Sequence, residues 1–222
     1  NWGSVGSHLH SIAFQSDDSI IVGGNRYAGG CSPGISNSSI TRYTPDGQLD
    51  SSFGSGGELR YDIPYGPHHD NGRTVVVAPD DSIYLGANES YGSWAGLVRA
   101  DANGSFQGLS QLSTGYIKGV VLDTQGVIAT SDSAMGRFDL SGNIDTSFAS
   151  SGYVNLTYSP GGSGSNPLML DQNGNILVVV DSSNNAIEVA RHLSDGSLDT
   201  SFGNAGIAEW SGNYTRMTAT TL

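Results

Sequence analysis

An all-β fold, a β-propeller of about four four-stranded antiparallel blades, is what this sequence predicts, and three observations predict it. A twelve-residue motif recurs in phase along the chain, strand-like runs separated by polar turns fill each period, and charged residues make up only 14% of a 222-residue chain with 32 glycines. Internal repetition is the signature of a repeat architecture, because one such unit cannot bury its apolar face alone. The composition excludes a coiled coil, which is rich in Ala, Glu, Lys and Leu. Regularly recurring Val, Ile, Leu and aromatic residues argue against disorder.

The motif Asp46-Gly-Gln-Leu-Asp-Ser-Ser-Phe-Gly-Ser-Gly-Gly57 returns as Ser141-Gly-Asn-Ile-Asp-Thr-Ser-Phe-Ala-Ser-Ser-Gly152 and as Asp195-Gly-Ser-Leu-Asp-Thr-Ser-Phe-Gly-Asn-Ala-Gly206. A worn copy at Asn103-Gly-Ser-Phe106 has lost the Asp-x-Ser-Phe core. An arginine stands five residues before each motif glycine, in the pairs Arg42/Gly47, Arg99/Gly104, Arg137/Gly142 and Arg191/Gly196. The glycines lie 57, 38 and 54 residues apart, so one unit is short. Units of about 5–63, 64–112, 113–158 and 159–210 follow, read as one propeller domain over 1–222. Residues 211–222 read as the start of a further unit or a closing strand.

Each unit holds four strand-like runs. The first is Ser11–Gln15, echoed by Thr74–Ala78, Lys118–Leu122 and Leu168–Leu170; the second is Ser19–Val22, Ser82–Leu85, Val127–Ala129 or Asn175–Val180. Between them sit Asp17-Asp18, Asp80-Asp81, Gln125-Gly126 or Asn173-Gly174, and Asn-Gly and its relatives favour the primed turns of two-residue hairpins. The third run ends at the repeated arginine, and the fourth follows the motif, as in Glu58–Ile63, Tyr153–Thr157 and Ile207–Trp210. Runs such as Ile176-Leu-Val-Val-Val180 lack alternation, which predicts strands covered on both faces. Four antiparallel strands per unit, repeated and doubly covered, is the pattern of a propeller blade.

Asp-Gly-x-Leu-Asp-x-Ser-Phe-Gly-x-x-Gly after an arginine strand resembles the delta-60 repeat family of bacterial proteins. The likeness is specific in units one, three and four and weak in unit two. It implies a propeller in a large exported or cell-surface bacterial protein, and implies little about biochemistry. Within the motif, glycine supplies a left-handed turn, Leu or Ile and Phe plug the gap between blades, and Asp50, Asp145 and Asp199 bond backbone amides or pair with the repeated arginine. A second reading of the aspartates is calcium: Asp171-x-Asn173-Gly-Asn175 faintly resembles a calcium loop, without the downstream glutamate of an EF-hand. No other cofactor is expected.

Blade geometry says where a site belongs. The turns between first and second strands share one end of the blades with the repeated segments, and the other end carries everything irregular. There lie the loops Asn25–Ser39, Asn88–Gly96, Ser131–Ala134 and Asp181–Ala186, with the crossings Pro64–Gly72, Ser113–Tyr116, Ser159–Asn166 and Ser211–Thr215. Function usually lives on loops carried by a rigid scaffold. The candidate ligand-binding residues are therefore Arg26, Tyr27, Tyr91 and Trp94, read as exposed, with His68, His69 and Asp70 beside them. Aromatic rings stack on the apolar face of a sugar, while Asn, Asp and Arg bond its hydroxyls. The competing reading is that Tyr91 and Trp94 cover the rim of the blade.

Adjacent His68 and His69 point opposite ways on an extended chain, so a solvated loop is favoured over a metal site. His8 and His10 are spaced to share a strand face without an evident third ligand, and His192, next to the repeated arginine, reads as structural. No Gly-x-Ser-x-Gly elbow, His-Glu-x-x-His helix or phosphate loop occurs. A carboxylate pair for glycoside hydrolysis stays open, although only Glu58, Glu89, Glu188 and Glu209 are glutamates. Asn37, Asn88, Asn103, Asn155 and Asn213 head Asn-x-Ser/Thr sequons of the sort a Ser/Thr-rich chain contains by composition.

The net charge of −12, with Lys118 the single lysine against eight arginines, excludes nucleic acid as a partner. No apolar run reaches the roughly 18 residues of a membrane span, so no membrane insertion is expected. Cys31 stands alone, so neither an intrachain disulfide nor a cysteine zinc site is possible. No signal peptide is visible, and the opening Asn1-Trp2-Gly3 reads as a trimmed segment. The composition leans towards an extracellular or cell-surface protein. Asn1-Trp2 matches Glu209-Trp210 in the repeat, and Arg216–Leu222 matches a first strand, so the expectation is a ring completed by other copies or a larger chain. The leading function is a non-enzymatic recognition or adhesion module for a glycan or cell-envelope ligand. A structural spacer or assembly module is the alternative, and a glycan-active hydrolase ranks below both.

Overall fold

The computed structural model describes residues 7–27, 36–64, 69–149, 151–161, 166–180 and 186–211. Four four-stranded antiparallel sheets carry the described chain, each with its strands in sequence order. Blade 1 comprises β1 (Ser7–Phe14), β2 (Ile20–Tyr27), β3 (Ser36–Tyr43) and β4 (Glu58–Tyr61). Blade 2 comprises β5 (Asp70–Val77), β6 (Ile83–Glu89), β7 (Ala95–Ala100) and β8 (Phe106–Ser113). Blade 3 comprises β9 (Ile117–Leu122), β10 (Val127–Ser131), β11 (Ala134–Phe138) and β12 (Tyr153–Asn155). Blade 4 comprises β13 (Leu168–Leu170), β14 (Ile176–Val180), β15 (Ala186–His192) and β16 (Ile207–Ser211). The predicted blades are thus present in the predicted order. The chain divides into two compact units, residues 1–117 and 118–222, and each is described by itself. Among the described residues no helix is long and apolar enough to cross a membrane.

The turns between first and second strands correct one expectation. In blades 1, 2 and 4 they are three-residue loops rather than two-residue primed hairpins. Gln15 N–H donates to Ser19 O while Asp18 N–H donates back to Gln15 O, and Ala78/Ser82 and Asp171/Asn175 repeat the arrangement. The last loop residue takes the left-handed conformation at Asp18, Asp81 and Gly174. A type I turn closed by such a residue matches the strand twist with one residue more. In blade 3 the loop is two residues long, closed by Asp123 N–H to Gly126 O, but without the positive φ of a primed turn at Thr124 or Gln125.

The repeated motif builds one device three times. Arg42 Nε donates to Asp50 Oδ2 at 2.8 Å, Arg137 Nε to Asp145 Oδ2 at 2.7 Å, and Arg191 Nε to Asp199 Oδ2 at 2.8 Å. The other carboxylate oxygen of each aspartate accepts both the amide and the hydroxyl of the serine two residues on. Each guanidinium also covers the motif phenylalanine, at 4.9, 5.1 and 4.4 Å from the ring centres of Phe53, Phe148 and Phe202, a cation–π contact. In blade 2 the aspartate is missing, so Arg99 bonds only the Gln107 carbonyl through Nη2, and its buried Nε has no partner.

The same device fastens one blade to the next within each unit. Phe53 lies against the turn glycine Gly104 of blade 2, and Phe148 against Gly196 of blade 4, so close that a Cβ on either glycine would sit 2.7 Å from the ring. Gly54 N–H donates to Asn103 O, and Arg42 and Arg137 reach the Ala102 and Ser194 carbonyls. Gln15 and Ser16 of blade 1 bond the blade 2 turn at Asp81. Phe53, Ile21, Ile40, Ile83, Leu85 and Trp94 join one buried cluster in the first unit, while Phe148, Ile128, Ile176 and Val178 anchor another in the second.

Candidate functional site

The irregular end of the first unit carries a polar concavity, and the sequence builds it from two strand faults. In β1 the pairing register with β2 slips between Leu9 and Ser11; in β5 the register with β6 slips between Gly72 and Thr74. Each slip leaves one extra residue, His10 or Arg73, and both stand five residues before the turn that ends the strand. A bulge of this kind re-aims a side chain that regular pleating would send elsewhere. Ser11 Oγ accepts the Val75 amide at 2.6 Å and so binds the two faulted strands together.

His8, His10, Asn25, Tyr27, Asn71 and Arg73 line a cavity of about 180 Å³ there. The rings form a row: His10 stacks on His8 at 6.3 Å, and Tyr27 stands edge-on to His8 at 5.8 Å and to His69 at 6.0 Å. Burial, and then the neighbouring Arg73 charge, hold the His10 imidazole below its ordinary pKa. His69 Nδ1 accepts the Ser36 amide, which fixes its ring.

The seven candidate residues fare differently. Tyr27 and His69 come together in the ring row. Arg26, the adjacent β2 residue, reaches across its blade to Glu58, at 2.8 Å, and Glu58 also holds Arg60 and Ser39. Tyr91 is 74% exposed at the tip of the β6–β7 hairpin. His68 lies outside the described residues.

Two readings of exposure are corrected. Trp94 is only 1% exposed and belongs to the core of the first unit, clustered with Ile21, Ile63 and Leu85. Its ring faces offer nothing for a sugar to stack on. Asp70 is not in a solvated loop; it opens β5, is 1% exposed, and accepts the Ile63 amide at 2.7 Å. Desolvation, reinforced by Asp62 and Glu89, raises its pKa to about 7.

The sequence reading gave no role to Glu89, which shapes the blade 2 hairpin. Its buried carboxylate accepts the amides of Tyr91 and Ser93 and the Ser93 hydroxyl. The hairpin is tied to the next crossing by Gly115 N–H to Gly92 O and Tyr116 Oη to Ser90 O. A lone glutamate followed by Ser-Tyr-Gly-Ser was the available signal. Asn25, Asn71 and Arg73 were also missed, since they sit on strands whose faults only the pairing reveals.

The Asp171 carboxylate is occupied by its own loop. Asp171 Oδ1 accepts the Asn173 and Asn175 amides, and Oδ2 accepts the Asn175 side chain. Among the described residues no three His, Cys, Asp or Glu side chains gather as metal ligands. His192 is buried, its Nδ1 against Gly196 O at 2.9 Å and its Nε2 against Tyr158 Oη at 2.6 Å, which suits a neutral ring accepting the phenol proton.

Comparison with known proteins agrees with this architecture. A family model described as "Domain of unknown function (DUF5122) beta-propeller" matches residues 15–53 and 172–202. Those segments hold the motif copies of blades 1 and 4 as far as Phe53 and Phe202 and bear out the resemblance to delta-60-type propeller repeats. Among solved structures, the Dos1 propeller is similar with a TM-score of 0.54 at 14% identity, over 86% of this chain and 45% of that one. The extracellular domain of a hybrid two-component system from B. thetaiotaomicron is similar with a TM-score of 0.46 at 19% identity, over 82% of this chain and 20% of that one. The chain thus spans less than half the length of either. At such identities the likeness is one of fold. A comparison with curated proteins gave no match.

Proposed function

We propose that this chain is a non-enzymatic recognition module of an exported or cell-surface bacterial protein, and that it binds a glycan or other cell-envelope ligand at the irregular end of blades 1 and 2. The cavity under the Tyr27 ring row is the observation that carries this reading. It combines an aromatic edge with amide, imidazole and guanidinium donors, which is the mixture a hydroxyl-rich ligand needs. Tyr91, exposed on the neighbouring hairpin, offers a second ring. The test is a broad glycan array, run with and without calcium on the native chain, Tyr27→Ala and Tyr91→Ala. Binding that falls at least tenfold in Tyr27→Ala, about the loss of one anchoring ring, is expected. Binding that survives both substitutions puts the site elsewhere, and a blank array removes the reading.

The second reading, an assembly module that associates with further copies, draws on the motif device. Phe53 and Phe148 are fully buried on the turn glycine of the following blade, whereas Phe202 is half-buried. The Gly47 turn of blade 1 has open space where a Cβ would stand. Register places Leu9, Ile12 and Phe14, all exposed, on the face of β1 opposite Ser11 and Ala13, which face blade 2. Blade 4 of one copy offers the phenylalanine half of the lock and blade 1 of a second copy offers the glycine half. Light scattering over a concentration series should show mass growth that Phe202→Ser abolishes; a monomer at every concentration overturns this reading.

A further inference from the structure

Two blades spend a ladder pairing at the same height of their first strands, and the residues thereby released, His10 and Arg73, face one cavity. We propose that this cavity is an anion subsite which takes the carboxylate of an acidic sugar. The inference rests on the recognition reading above and specifies the charge of what is recognised.

Charge carries it first. The chain has 21 carboxylates against nine Lys and Arg, so a cation without an acidic neighbour is unusual here. Arg26, Arg42, Arg60, Lys118, Arg137 and Arg191 are all ion-paired. Among the described residues Arg73 has neither an ion pair nor a hydrogen bond, and its Nε is buried without a partner. Among the described residues no carboxylate lines the cavity. A half-buried guanidinium with its donors unused is costly until an acceptor arrives, and a carboxylate matches its planar fork.

The other walls fit the rest of an acidic sugar. Asn25 and Asn71 supply amides for hydroxyls, and Tyr27 presents the ring against which a pyranose can lie. The groups that face His10 are His8 on its own strand, Arg73 from β5, and Asn25 from β2, with Tyr27 beyond His8. Burial, and then Arg73, hold the His10 imidazole below its ordinary pKa. A bound carboxylate offsets Arg73 and favours the imidazolium, so binding takes up a proton and strengthens as pH falls.

Isothermal titration calorimetry of the full chain with glucuronate, glucose and inorganic sulfate tests this, on the native protein and on Arg73→Gln, Arg73→Lys and His10→Gln. Glucuronate should bind at least about tenfold more tightly than glucose, the scale of one charge-assisted contact. Arg73→Gln should erase that preference at an unchanged melting temperature, Arg73→Lys should keep part of it, and His10→Gln should flatten the pH dependence. Equal binding of glucose and glucuronate overturns the anion subsite and leaves the recognition reading standing. Sulfate binding as tight as glucuronate overturns the sugar assignment. Silence from all three with a positive neutral-glycan array defeats the inference alone, while silence with a blank array defeats both.

Discussion

The two ends of the blades make opposite use of their polar residues. At the motif end, Arg42, Arg137 and Arg191 meet their aspartates at 2.7–2.8 Å and cover a phenylalanine each time. In blades 1, 3 and 4 each guanidinium Nε donates to the motif aspartate of its own blade; the worn copy in blade 2, where Arg99 Nε lacks a partner, is the exception. At the irregular end of the first unit, Arg73 is unpaired among the described residues, Asp70 is buried with a raised pKa, and His10, His8, Tyr27 and His69 stand in a row. Satisfied groups repeat because they hold the scaffold, and strained or unsatisfied ones concentrate where a ligand can relieve them. The difference separates residues kept for packing from residues available for recognition.

The largest effect should come from breaking the motif end. Phe148→Ala leaves a cavity against Gly196 and is expected to cost about 3–5 kcal/mol, as for other fully buried aromatics; Phe202→Ala, half-buried, should cost less than half as much. The same contrast can be drawn through glycine. Gly104 and Gly47 occupy equivalent turns with positive φ, but only Gly104 lies under a phenylalanine ring. Gly47→Ala should cost about 1 kcal/mol for the backbone, and Gly104→Ala clearly more. Denaturant midpoints measure both, and equal losses at the two glycines would mean that the ring does not lock the blades.

A middle-sized effect distinguishes intact from worn motifs. Arg137 is buried between Asp145 and Asp123, so Arg137→Met should cost about 2–3 kcal/mol, reduced from a fully buried pair because the aspartates are partly exposed. Arg99, without a carboxylate, should tolerate the same change at under about 1 kcal/mol. Comparable losses would show that the aspartate adds nothing to the arginine.

The smallest and most specific effect is at Asp70. Its folded pKa of about 7 exceeds the unfolded carboxylate value of about 4. Between those values the folded chain binds the extra proton, so its contribution to stability is full at low pH and declines as pH rises to about 7. Asp70→Asn keeps an acceptor for the Ile63 amide without the ionisation, and should stabilise the chain by about 1–2 kcal/mol at pH 8 while the gain vanishes near pH 4. A melting temperature that rises for the parent between pH 5 and 8, with no variant advantage, would contradict the buried-carboxylate account.

Much of the scaffold was legible in the sequence because its contacts are short-range. Asp50 to Ser52 spans two residues and Arg42 to Asp50 spans eight, so a motif copy already contains the partners of its own hydrogen bonds. The worn copy was equally legible: without an aspartate, Arg99 loses its partner. Strand order followed from turns placed between apolar runs. The turn type was misread, because the register across a hairpin, and not the turn dipeptide, sets the number of loop residues; so was the motif Leu or Ile, since Leu49 and Ile144 are exposed and only the phenylalanine plugs the gap between blades.

The site was decided by tertiary structure. His10 and Arg73 are brought to one cavity by two register slips, and a slip is a property of a strand pair that neither strand displays alone. Trp94 and Tyr91 have the same polar, glycine-rich setting in the sequence, yet one is buried and the other exposed. What packs over a side chain decides that, and here it is an apolar cluster drawn from residues as far apart as Ile21 and Ala100. Asp70 was hidden for the same reason, since its burial and its bond to the Ile63 amide come from packing, and Asp62 and Glu89 then add to the rise of its pKa. Local pattern therefore determined the blades, and long-range packing determined which polar groups were left for a ligand.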